Sequence, residues 1–508
     1  MELSYWDGLA FALFLAAVVG ISIYASRKEE TSEDYFLAGR NLSWWLIGFS
    51  LIASNISTEH FVGMAGAGFG QAGMAIASYE WIAAVALVII GLFLLPLYLR
   101  LGIYTMPEFL ENRYGSKART LMAFYMMIAY VGVAIAAVLY SGALGLSAVF
   151  GLDLTLGIWL IGILAGIYTI YGGLKAVVWS DLLQGSALLL GGAAVALIGL
   201  GKVGGLSEFL TQNAGKMHVI LPADHPDIPW TAMLFGIWIP NFFYWGFNQF
   251  ITQRTLGAKS LAQGQNGIML AAAIKLIIPF IIIFPGIMAF QLFRDQIASP
   301  DQAYPVLIKH LLPIGLRGIL FAALAGAVMS SLDSMLNSAS TIFTMDIYKQ
   351  HVNPEGDARQ TIRIGRIATA FFVVAGCLLA PLPARFEGVF QYIQLVWGFI
   401  SPAIVAVFVF GLIFRRAPQK AALTAMLVGV PLYGLLLWQL PGVAFLNHMA
   451  LTFTVLIIVM AAITVISPLE KPVVFTSTGQ VDLAVSPLAW KLGTAILIAT
   501  AMLYFYFW

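Results

Sequence analysis

The chain has 508 residues, 60% of them hydrophobic and 10% charged, with a net charge of +2 from 26 basic and 24 acidic side chains. Soluble domains carry about 25% charged residues, so a mean hydropathy of +0.90 excludes a water-soluble globular protein, and the near-balanced charge excludes the basic field of a nucleic-acid binder. The single cysteine, Cys377, excludes an intrachain disulfide and reads as a small buried hydrophobe.

Apolar runs of about 20 residues, long enough to cross a hydrocarbon layer of about 30 Å as helices, recur along the sequence. They predict spans at 5–25, 43–70, 73–99, 119–148, 153–171, 175–200, 230–254, 266–293, 314–345, 361–382, 386–414, 418–440, 447–467 and 490–508. A backbone in lipid must satisfy its hydrogen bonds internally, so the expected fold is an all-α polytopic membrane protein with fourteen transmembrane helices. The first span follows MELSYWDG, which has no positively charged n-region, and is expected to be a retained helix.

Two spans are unusual. Span 43–70 carries NISTEHFVG at 55–63, followed by Gly66, Gly68 and Gly70; span 230–254 carries Ile239-Pro240-Asn241 and Gly246-Phe247-Asn248-Gln249. Bared backbone is tolerated at membrane depth only where it faces protein or a cavity, and matching breaks five spans apart are what an inverted repeat of a secondary transporter produces. Ionisable side chains inside spans are Glu59, His60, Glu80, Asp181, Lys275 and Asp333, and such groups usually face a cavity or one another.

Alternate loops are rich in Lys and Arg, among them Arg100, Arg113, Lys117, Arg254, Arg363 and Arg415, whereas the opposite side has Lys202, Lys216, Arg294, Lys309, Arg317 and Arg385. The positive-inside rule then places both termini outside. The loop 201–229 is expected to hold a short amphipathic helix at 206–210; its His218, Asp224 and His225 lack a metal-ligand spacing and read as solvated loop residues. The sequence contains neither a Walker motif nor a Rossmann fingerprint, so nothing in it supports an ATP-driven pump.

The motifs EDYFLAGR at 33–40, GIYTMPEF at 102–109, IYGGLKAV at 170–177, WGFNQ at 245–249 and SASTIFTMD at 338–346 resemble the sodium/solute symporters, in particular bacterial and animal sodium/sugar cotransporters. The resemblance implies a LeuT-like core of two inverted five-helix repeats, here 43–200 and 230–414, with one peripheral helix before it (1–30) and three after it (418–508). It implies sodium-coupled symport of a monosaccharide, glucose or galactose, by alternating access, with binding coupled to motion and no chemical conversion. A sodium site is implied at the carbonyls of Ala53, Ile56 and Ala327 and the hydroxyls of Ser330 and Ser331. Solute contacts are implied at Asn55, His60, Glu80, Asn241, Lys275 and Gln394. Tyr244 corresponds to an inner aromatic gate, and Met64, Tyr79 and Phe390 to outer gates. Asp181, with Asp333 and Ser334, forms a candidate second cation site. Sodium, a monosaccharide and the bilayer of a bacterial inner membrane are the expected partners.

The chain departs from the bacterial galactose carrier of this family at His60, Ala83 and Ala134, where that carrier has glutamine, serine and asparagine; histidine at the first of these resembles animal glucose carriers. Symport of inositol, sialic acid or proline, proton coupling through His60 and Asp333, and a solute sensor that does not transport remain the alternatives.

Overall fold

A computed structural model describes residues 5–26, 30–57, 59–226, 228–313, 315–382 and 389–508; the side chains of 59, 148–150 and 389–392 are not among those described. Apart from two isolated bridges, Leu42 with Ala258 and Ser260 with Asp482, the regular structure of these residues is helical. Among the described residues, eleven helical stretches are long and apolar enough to cross a membrane. The other three of the fourteen expected spans are not separate helices of that kind: 43–70 and 230–254 fall on interrupted segments whose pieces are each too short, and 153–171 and 175–200 share the single helix Leu154–Lys202, which bends at Gly173.

Gly173 bends that helix, with φ 50° and ψ −145°, and a Cβ there would lie 2.2 Å from the Tyr35 carbonyl oxygen. Only glycine supplies both the torsion and the close approach. The N-terminal helix Tyr5–Ala25 packs on the outside of Leu154–Lys202 and of Leu316–Ile342. Its Asp7 carboxylate accepts from the backbone amides of Gly315 and Gly318 at 2.8 and 3.0 Å, and so caps the start of the second of these helices.

The first interrupted segment runs as helix Trp44–Asn55, an extended Ile56 at φ −78° and ψ 104°, a π-helical turn Glu59–Met64 and a short helix Ala65–Phe69. The last bond of its first half is Ile56 N–H to the Ile52 carbonyl, 2.8 Å, after which the His60 amide turns back to the Ser57 carbonyl at 3.0 Å. Short polar side chains such as Asn55 and Ser57 offer the backbone alternatives to a helix.

The second interrupted segment comprises a π turn Ala232–Gly236, helix Trp238–Phe242, a π turn Phe243–Phe247 and helix Gln249–Leu256, joined through an extended Asn248 at φ −90° and ψ 124°. The break therefore lies at Asn248 and not at Pro240, which sits in the first turn of Trp238–Phe242, where a missing N–H costs little. Tyrosines compensate the exposed backbone. Tyr98 donates to the Gly246 carbonyl at 3.0 Å, and the Tyr130 hydroxyl bonds the Asn248 side chain and accepts from the Phe250 amide at 3.2 Å. In the loop beyond Lys202, the expected amphipathic stretch forms the helix Leu206–Gln212.

Candidate solute and cation sites

Between the two interrupted segments lies a cavity of about 120 Å³. Its lining includes Asn55, His60, Glu80, Asn241, Lys275 and Gln394, which stand far apart in sequence. Met64, Tyr79 and Tyr244 also face it, whereas the side chains of Phe390 and Glu59 lie outside the described residues. The lining matches the general pattern of ligand sites, a few placed polar groups in a largely apolar wall.

The polar side is organised by Lys275. Its ammonium donates to Glu80 Oε2 at 2.6 Å and to the Asn55 amide oxygen, and lies 5.0 Å from the Trp245 ring centroid. Both partners of the ion pair are buried, Lys275 at 0% and Glu80 at 3% exposure. Desolvating two charges is costly, so the pair persists because each charge finds several partners. The other Glu80 oxygen faces His60 Nε2 at 3.6 Å, and His60 Nδ1 faces the Ser57 amide at 3.5 Å. The Asn241 amide nitrogen is pinned to the Ile237 carbonyl at 2.9 Å. Carboxylate, ammonium, imidazole and amide groups thus meet on one wall, a set suited to a solute bearing several hydroxyls.

One residue before Asn55, the chain enters a second polar cluster. Ser331 donates to the Ser54 carbonyl at 3.2 Å, which joins helix Leu316–Ile342 to the end of Trp44–Asn55. Ser330 donates its proton to Asp181. A hydroxyl whose proton is directed to a fixed acceptor presents its lone pairs to the remaining space. Ala53 and Ile56, at the end of Trp44–Asn55, and Ala327, one turn before Ser331 on Leu316–Ile342, are buried, and neutral oxygens of this kind are what a hard monovalent cation takes.

Asp181 also accepts from Ser50 at 2.5 Å and Ser54 at 3.0 Å. Beside it lies Arg254, expected in a solvated basic loop but found 1% exposed. Its guanidinium reaches Asp181 at 3.2 Å and Ser50 at 2.6 Å, and bonds Ser334 and the Phe250 carbonyl. Its burial follows from being fully paired, the condition under which an intramembrane charge is tolerated. Asp333 accepts from Tyr168 at 2.6 Å and Ser180 at 3.1 Å, and lies 3.2 Å from Ser334. Asp181, Asp333 and Ser334 therefore share one network, with a guanidinium as its internal cation.

Sequence reasoning did not single out Trp245 and Trp397, which line the solute cavity, or Arg254, Tyr168, Ser50 and Ser54, which build the cation cluster. Trp245 stood inside a quoted motif, and that was its only signal.

Residues 35–429 match the family model described as the sodium:solute symporter family. A sodium/glucose cotransporter of Vibrio parahaemolyticus is 39% identical over 541 residues, covering 100% of this chain and 99% of that protein. A sodium/myo-inositol cotransporter 2 of Homo sapiens is 34% identical, covering 83% of this chain and 67% of that protein. A solved structure of a sodium-coupled sialic acid symporter, substrate-bound and outward-open, aligns with TM-score 0.82 over 92% of this chain and 100% of the other at 22% identity, a likeness of fold alone. The chain belongs to the sodium:solute symporter family and is a multi-pass membrane protein that couples movement of a small polar solute to sodium, not an enzyme.

Proposed function

We propose that the chain imports a monosaccharide, glucose or galactose, with sodium across a bacterial inner membrane, both termini facing outward. Fourteen crossings form two inverted repeats, 43–200 and 230–414, flanked by the 1–30 helix and the 418–508 helices. Sodium binds at the Ala53, Ile56 and Ala327 carbonyls and the Ser330 and Ser331 hydroxyls; the sugar is held by Asn55, His60, Glu80, Asn241, Lys275 and Gln394. Met64, Tyr79 and Phe390 close the outer side, and Tyr244 the inner side. Asp181, Asp333 and Ser334 modulate the coupling: two buried carboxylates beside one Arg254 guanidinium either favour a further cation or share a proton, because both cannot cheaply ionise together.

The observation that carries this reading is the adjacency of Ser54 and Asn55. The first lends its carbonyl to Ser331 and the second its side chain to Lys275, so both sites meet at the end of one helix. Sodium arriving from outside stabilises the arrangement to which the sugar binds. Linkage is reciprocal, so sugar must improve sodium affinity by the same factor. The membrane potential adds about 2.3 kcal/mol per elementary charge per 100 mV. Names of relatives, a sodium/glucose cotransporter among them, support a hexose; myo-inositol is the second reading, supported by relatives so named.

The test is flux into proteoliposomes under an imposed sodium or proton gradient, with glucose, galactose, myo-inositol and proline compared. Concentrative sugar uptake driven by sodium alone is expected. Uptake driven by protons in sodium-free buffer, or binding without flux, would overturn the reading.

A further inference from the structure

The connection 467–486, between helices Phe445–Ile466 and Pro487–Tyr506, contains no helix and only the bridge of Asp482 to Ser260. Connections longer than about 12–15 residues without regular structure are uncommon and tend to be functional. This one is laid across the Lys- and Arg-rich side as a strap. The Leu469 and Val473 amides donate to the Arg416 and Arg415 carbonyls at 2.8 and 3.0 Å, the Thr478 amide donates to the Arg100 carbonyl at 3.0 Å, and the Asp482 carbonyl accepts from the Leu261 amide at 2.9 Å. Midway along the strap, the half-buried Phe475 stacks on Phe109 of the short helix Met106–Tyr114, ring centroids 5.7 Å apart and planes at 27°. Phe109 stacks in turn on Phe408 at 5.1 Å, and Phe408 on Phe247 at 4.3 Å.

Phe247 immediately precedes Asn248, where the second interrupted segment is broken. The other residues flanking that break lean on the same place. The Met106 amide, on the helix of Phe109, donates to Gln249 Oε1 at 2.8 Å, and Tyr98, which donates to the Gly246 carbonyl, meets Phe109 edge-on at 5.4 Å. Phe109, Phe408 and Phe247 are buried, so Phe475, on an irregular strap, is the ring of this chain that can leave its neighbour without breaking a helix. We propose that the strap seats the break at Asn248: Phe475 is a positioning residue that acts through Phe109 and Phe408 on the segment Gln249–Leu256, and so on the movement of that segment during transport. One aromatic pair favours the seated arrangement by about threefold to tenfold. The role holds for any solute and does not depend on the sugar reading.

The test reads the seating by thiol labelling. Thr255 is buried on Gln249–Leu256, and Cys377, the single cysteine, is buried on Ala358–Leu379. In purified T255C/C377A in micelles, labelling by N-ethylmaleimide should be slow; adding F475A should raise its rate about threefold to tenfold, whereas F475Y, which keeps the ring, should stay near the parent. V474A, at a strap side chain 72% exposed, should leave the rate unchanged. Sodium leak into proteoliposomes in the absence of any solute should rise in F475A alongside the labelling and stay low in F475Y. An unchanged rate in F475A, F475Y behaving as F475A, or an equal change in V474A overturns the proposal. Faster labelling of Cys377 in F475A alone also overturns it, since the whole protein would then have loosened. Faster labelling at position 255 without sodium leak overturns the role in transport. Neither readout uses a sugar, so a failure of sugar uptake bears on the sugar reading alone.

Discussion

Replacing Lys275 by methionine tests whether its ammonium is what permits a carboxylate at the centre of the protein. Lys275 and Glu80 lie 2.6 Å apart, and both are sealed from solvent. Removing one partner of such a pair leaves an uncompensated buried charge, a loss of about 3–5 kcal/mol, whereas removing both charges with shape preserved is close to neutral. His60, 3.6 Å from the other Glu80 oxygen, offers a partial substitute and sets the expectation for K275M at the low end, about 3 kcal/mol. E80Q should cost less, because Lys275 keeps the Asn55 oxygen and the Trp245 ring. The double variant E80Q/K275M should recover to within about 1 kcal/mol of the parent, a coupling energy of roughly 2 kcal/mol or more. The assay is a double-mutant cycle by SDS titration in mixed micelles, beside sodium-driven uptake in liposomes. Stability should be rescued in the double variant and uptake should not, since the solute loses both groups. Strictly additive losses would refute the reasoning, because the two side chains would then not be stabilising each other.

S331A removes one oxygen from the proposed sodium site and should raise the half-saturating sodium concentration about tenfold, with little change in solute affinity once sodium saturates; an unchanged sodium curve would remove Ser331 from the site. For Tyr244, whose ring packs edge-on against Trp245 and Phe250 at 5.2 Å each, Y244F should keep concentrative uptake while Y244A loses it through sodium leak. Equal behaviour of the two would show that the ring is not the barrier. D333A should alter sodium activation and the charge carried per solute, both read by flux and current on the same liposomes. If neither moves, Asp333 serves packing alone.

What was legible in the sequence was what composition and local spacing encode. Uninterrupted apolar runs announced the helices because lipid permits little else, and the polar run at 55–63 announced the first break because it is expensive in hydrocarbon. That Asn55, His60, Glu80, Asn241, Lys275 and Gln394 line one cavity was legible only through the family resemblance, and local pattern alone would not have grouped them. Arg254 was misplaced because QRTLGAKS at 253–260 reads as the basic edge of a loop; only packing shows that Asp181, Ser50 and Ser334 surround it. Pro240 drew attention as a helix breaker, but its effect depends on its position within a turn, which the sequence leaves open. Trp245 and Trp397 were hidden among 13 tryptophans, most of which serve the core or the membrane interface.

The Ser54 carbonyl holds Ser331 and the Asn55 side chain holds Lys275, so with sodium and sugar bound as proposed, a single peptide unit is the transmission shaft of this machine. An alteration at that joint to suit a new cargo also retunes the driving ion.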